Sequence, residues 1–250
     1  MGTWSVSGDF DLSVTVLEGM QSMVTDQNNL VYAKGANISD DPVFAKSVNA
    51  FGEEIVIDER RPEVMIAEAV AAAEQSDVVV AVVGEAADMA GEASSMAHIG
   101  LQAAQVKLLK ALKATGKPIV MVLFNGRPMT LTWEDENMDA ILDVWHTGIE
   151  AGNAIADVLF GEVNPSGKIT ASFPVGVRPN PVYPQYAEYR SSAPGGCFRK
   201  IPLQLPGYSE CTFVSVRLWA ELYKFRIYQS PYFRRKPGKQ RRTEGKCGGY

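Results

Sequence analysis

Up to about residue 175, short unbroken apolar runs alternate with stretches in which apolar side chains return every three or four positions. The first pattern marks strands covered on both faces; the second marks helices with one buried face. Val14, Leu17 and Met20 give helical spacing over 13–23. Residues 30–33, ending near Gly35, read as a strand, and 37–41 as a turn. Pro62 stands where a first helical turn begins, and Met65, Ile66, Val70 and Ala73 carry an apolar stripe to Glu74. The run VVVAVV at 78–83, closed by Gly84, predicts a central strand, and a loop rich in Gly, Ala and Ser covers 84–98. Val106, Leu108, Leu109 and Leu112 predict a helix over 102–114 that stops at Gly116. A second buried strand covers 118–124, before the turn Asn125-Gly126-Arg127-Pro128. A third strand covers 140–145, and a helix over 150–160 closes on Gly161. After the turn Asn164-Pro165-Ser166-Gly167, residues 168–173 read as a last short strand.

Strand, helix, strand, helix in this order predicts right-handed βαβ units. The fold class is α/β: a mostly parallel sheet with helices on both faces, an α/β sandwich, followed by an irregular tail. Ligand sites in such sheets lie outside the carboxyl ends of the strands. That edge holds the loops after Val83, Phe124 and Trp145, of which 84–98 is the longest.

Composition changes this picture at one place. Residues 1–186 hold 11 Lys+Arg against 25 Asp+Glu and no cysteine; residues 187–250 hold 13 against 4 and all three cysteines. The net charge of −5 therefore describes neither part. The acidic part argues against nucleic acid as a partner. No apolar run reaches the ~18 residues of a membrane span. Residues 1–5 show neither the basic nor the apolar segment of an export signal. Cys197, Cys211 and Cys247 are odd in number and lack CxxC spacing, which disfavours a disulfide framework or zinc site.

The chemistry-bearing residues gather in the long loop. Glu85 and Glu92 each follow a glycine in GEAADMAGEASS. Glycine permits a sharp turn and close approach of another surface. A carboxyl group so placed can donate a proton to a leaving oxygen, or it is simply a solvated loop acid; spacing leaves both open. His98 and His146 lack Cys or Asp partners at ligand spacing and read as structural or surface residues. Gly84 and Gly91 fit neither GxGxxG nor GxxxxGK[ST], which disfavours a nucleotide-binding domain. Arg127 is a turn residue with the chemistry to hold an anion, Ser94 and Ser95 lack a nucleophile-elbow context, and Asn37-Ile38-Ser39 fits a glycosylation sequon.

Three stretches together resemble a known family: DVVVAVVGEAADMAGEASS, LLKALKATGKPIVMVLFNGRPM and GNAIADVLFGEVNPSGKITASFPV. They are similar to the C-terminal α/β-sandwich domain of glycoside hydrolase family 3, of the bacterial periplasmic β-glucosidase type. The resemblance runs over residues 1–178. It implies a retaining, exo-acting glycosidase that hydrolyses a β-glucoside or oligosaccharide. It implies no metal or organic cofactor, no nucleic-acid or membrane partner, and a periplasmic location. In the family the nucleophile lies in an N-terminal (β/α)8 barrel and the acid/base glutamate on a loop of the second domain. Gly91-Glu92 matches that acid/base motif, with Glu85 as runner-up. Met96 and Gln102 depart from the pattern, standing where relatives usually have Arg and Pro. A retaining glycosidase needs two carboxyl groups about 5–5.5 Å apart, and the barrel that supplies the second is missing from these residues. The expectation is a fragment that alone turns over no glycoside; the alternative is a non-catalytic α/β module for sugar binding or domain contacts.

The basic tail, residues 179–250, reads as a shifted frame. A permitted coding string for residues 214–225, VSVRLWAELYKF, loses one base and becomes YPFGYGLSYTN, close to a segment of the family. The same shift turns residues 203–213 into YSYLDIPNVPL and gives a run beginning NTGR at Glu188. A lost or gained base within residues 176–187 accounts for all three, and sequencing the locus tests it. Such a tail was not selected for a hydrophobic pattern and is expected to be poorly ordered.

Overall fold

A computed structural model describes residues 9–48, 54–92, 94–169, 171, 173–174 and 176. The tail and its expected disorder lie outside the described residues.

Three strands form a parallel sheet in the order β1 (Val79–Gly84), β2 (Ile119–Phe124), β3 (Ala140–Asp143). Each matches a predicted apolar run, within one or two residues at the ends. Strand continuity alone does not fix those ends, because the last apolar residues run on into loops. The six described helices are α1 (Val16–Met23), α2 (Pro42–Ser47), α3 (Pro62–Glu74), α4 (Ala103–Ala114), α5 (Thr132–Asn137) and α6 (Ala151–Phe160). Side chains alternate along each strand, so the sheet feeds two cores. On one face Ala81, Val83, Met121 and Leu123 pack with Ala69 and Ala73 of α3 and Leu108, Leu109 and Leu112 of α4. On the other, Val122 packs with Ile155 and Leu159 of α6 and with Val16 and Met20 of α1. Helices on both faces of a parallel sheet make the α/β sandwich that the periodicity predicts.

Helix α1 starts on a reciprocal cap. The Thr15 hydroxyl accepts the Glu18 N–H, and the Glu18 carboxylate accepts the Thr15 N–H. It then crosses α6 at backbone distance. A Cβ on Gly19 would lie 2.1 Å from the Gly152 carbonyl, and one on Gly152 would lie 2.0 Å from the Thr15 carbonyl.

One predicted strand is corrected, and a second, part of which lies outside the described residues, is not found among those described. Residues 30–33 run extended but join no described strand, and Val31 and Tyr32 face solvent. With no described strand to pair with and only Ala33 packed on the core, the apolar run stays a loop. In 168–173 the described residues form no strand; Ile169 is exposed, while Phe173 packs against the Trp145 ring, 5.9 Å between centroids. Two short helices were not predicted. For α2 the signal existed in Asp41-Pro42: the Asp41 carboxylate caps the N–H groups of Val43 and Phe44, and Pro42 occupies the first turn. For α5 the segment TWEDEN carries no apolar stripe.

Candidate functional site

Parallel register aligns the carboxyl ends of the strands, pairing Gly84 with Phe124 and Leu123 with Asp143. Glu85, Asn125 and the residues after Asp143 therefore emerge side by side at one edge. Gly84 turns the chain there with φ +140°, a conformation L side chains rarely adopt. A Cβ at that position would lie 1.8 Å from the Phe124 carbonyl. Gln105 of α4, itself buried, clamps Gly84 from behind: its Nε2 donates to the Gly84 carbonyl (2.8 Å) and its Oε1 accepts the Gly84 N–H (2.9 Å). Sequence reasoning missed Gln105; a polar residue among the apolar positions of α4 was its only signal.

The two candidate carboxylates have opposite surroundings. The Glu85 side chain is 1% exposed and pairs with Arg127 Nε at 3.0 Å. Its Oε2 also accepts the Gly126 N–H at 3.0 Å. A buried carboxylate held by a guanidinium and an amide has its charge consumed locally. Glu92 is exposed on the turn of the same loop, and no hydrogen bond or ion pair ties its carboxylate to another described residue. The structure does not bring the two together as a pair around one pocket.

Between them the loop dips inward. Residues Ala87–Met89 make a 3-10 turn, and Met89, 1% exposed, plugs a small core of Ala45, Val48 and Ile55. Arg127 Nη2 donates to the Met89 carbonyl. The Ser94 hydroxyl donates to the carbonyls of Met89 (3.2 Å) and Gly91 (3.1 Å). The anion that Arg127 holds is thus the chain's own Glu85.

Behind this bracket lies a buried polar cluster. Burial pushes the Asp143 carboxyl up to about 6, and both its oxygens are buried with no hydrogen-bond partner among the described residues. Burial also holds the His146 imidazole below its ordinary range, against the attraction of Glu85. Asn125 Nδ2 donates to the Arg127 carbonyl, while Asn125 Oδ1 and His146 Nε2 are buried with no hydrogen-bond partner among the described residues. Trp145 between them takes φ +52°, an outlier for a bulky residue. His98 is exposed. Asn37 is buried; its Oδ1 accepts the Asp58 N–H (2.9 Å) and its Nδ2 donates to Asp40 (3.0 Å), so the sequon is closed to a glycan in the folded chain. Among the described residues no group of three His, Cys, Asp or Glu side chains could hold a metal ion. No described helix is long and apolar enough to cross a membrane.

A parallel sheet with helices on both faces and a carboxylate-bearing loop at its carboxyl edge defines an α/β-sandwich domain. The family model described as "Glycosyl hydrolase family 3 C-terminal domain" matches residues 1–216, and the chain belongs to that family. It is 55% identical over 183 residues to a periplasmic beta-glucosidase of Salmonella typhimurium, covering 73% of this chain and 24% of that protein. It is 38% identical over 185 residues to a beta-xylosidase of Formosa agariphila, covering 72% of this chain and 23% of that protein. Among solved structures it resembles a beta-glucosidase from Listeria innocua in complex with isofagomine, with TM-score 0.55 and 31% identity, over 81% of this chain and 26% of that one. The chain thus spans about a quarter of the length of these relatives.

Proposed function

We propose that the chain supplies the acid/base half of a retaining, exo-acting β-glucosidase and needs a (β/α)8 barrel domain to supply the nucleophile. Glu92 protonates the glycosidic oxygen as the bond to the leaving group breaks. It then takes a proton from the water that attacks the glycosyl-enzyme intermediate. Glu85 has a structural task instead. The observation that carries this assignment is the contrast between them: one carboxylate buried against Arg127, the other exposed on a glycine-flanked turn at the sheet edge. A proton donor must reach a bound sugar, and exposure of the second carboxylate supports that reading. The periplasmic location of the Salmonella relative is proposed for this chain as well.

The test pairs the chain with the barrel domain of a family 3 relative and compares two variants on β-glucosides with poor leaving groups. Glu92→Ala is expected to lower turnover by about 10²–10⁴-fold. Glu85→Ala is expected to act through stability, costing about 3 kcal/mol by leaving Arg127 without its counter-charge. Wild-type turnover in the Glu92 variant refutes the assignment.

A further inference from the structure

We propose that Arg127 is a positioning residue for Glu92: one guanidinium staples both the root and the middle of the loop that carries it. The inference rests on the reading of Glu92 as the acid/base.

Arg127 does not belong to that loop. It lies in the turn after β2, and parallel pairing sets this turn beside the end of β1. Its Nε engages Glu85, the first residue beyond β1, and its Nη2 engages the Met89 carbonyl, three residues before Glu92. The two contacts use different nitrogens of one guanidinium, which suits a planar fork with fixed donor geometry. The turn holding Arg127 is itself braced, because Glu85 accepts the Gly126 N–H and Asn125 donates to the Arg127 carbonyl. Room for this arrangement is tight: a Cβ on Gly126 would lie 2.1 Å from Ala90 Cβ. From Met89 the constraint passes outward, since its carbonyl also receives the Ser94 hydroxyl, which bonds the Gly91 carbonyl as well. Glu92 is therefore the exposed crown of a turn whose two sides meet at one carbonyl. Its own side chain is left free for substrate, while the loop around it is tied through Met89 to the turn after β2. Proton transfer requires a donor within hydrogen-bond reach of the leaving oxygen, so a small drift of this turn is costly to rate.

A lysine at 127 keeps a positive charge for Glu85 but replaces the fork by a single ammonium. The test is hydrogen exchange read by peptide mass spectrometry on the full chain, wild type against Arg127→Lys and Arg127→Met, with cleavage after Glu92 by a glutamate-specific protease. Amides of residues 86–96 are expected to exchange at least tenfold faster in both variants, cleavage after Glu92 to rise in parallel, and β1 and β2 of Arg127→Lys, which keeps a charge for Glu85, to hold wild-type protection. Wild-type loop protection in Arg127→Lys overturns the proposal, as does a loss spread equally over β1, β2 and the loop. The lysine variant decides the matter if the methionine variant does not fold. No substrate enters this measurement, so the staple can fail while the acid/base reading stands, and the reverse.

Discussion

At the scale of single residues, the edge of the sheet separates charge that is used up from charge that is available. Glu85 and Glu92 were equivalent in the sequence, each a glutamate after a glycine. What distinguishes them is Arg127, 42 residues further on, and no local spacing announces that partner. Gln105 and Asn125 were illegible for the same reason: their partners are backbone groups brought close only by the fold. Asp143 gives a pH signature. Its folded carboxyl titrates at about 6, above the ordinary 3.8, so the folded chain holds this proton more tightly than the unfolded one. The associated stability is complete below pH 3.8 and is lost as pH rises through 6. His146, held below its usual range, works the opposite way and loses its contribution as pH falls. Comparing wild type with Asp143→Asn isolates the carboxyl. Half-burial discounts the shift, and the variant should gain about 1–2 kcal/mol on wild type between pH 4 and pH 7, read from urea midpoints at each pH.

At the scale of elements, the sequence was legible wherever a segment was long and periodic. Helix α3 falls on its predicted limits because Pro62 starts it and a stripe of Met65, Ala69 and Ala73 buries one face. The apolar runs of β1 and β2 declare strands, although β1 is not covered on both faces as its run suggests: Val82 is exposed. Legibility ends where pairing decides: residues 30–33 look like a strand and find no neighbour. The closest contact between elements was also invisible, because glycine signals many things. Gly19 and Gly152 let α1 and α6 touch backbone to backbone, and the atoms in the way are carbonyls that cannot rotate aside. Alanine at position 19 improves helix propensity by up to ~1 kcal/mol but must push the helices apart. Gly19→Ala and Gly152→Ala should each destabilise the chain by about 1–3 kcal/mol net, measured by chemical denaturation. Because both relieve the same contact, the double variant should lose less than the sum.

At the scale of the whole molecule, these residues amount to about a quarter of the family members they match. A double-displacement glycosidase needs an attacking carboxylate about 5–5.5 Å from its proton donor. Of the other acids at this edge, Glu85 is spent on Arg127, Asp143 is half-buried, and Asp88 belongs to the 3-10 turn of Glu92's own loop. The purified 250-residue chain is therefore expected to release no nitrophenol from an aryl β-glucoside above the rate in buffer; measurable release would overturn the division of labour proposed above. The cramped bend at Gly84 has a consequence for how such a chain can change over generations. With a carbonyl where any side chain would begin, that site admits no gradual exploration, so the root of the loop that carries Glu92 is frozen while exposed positions such as Ser95 and Ala97 remain open to experiment.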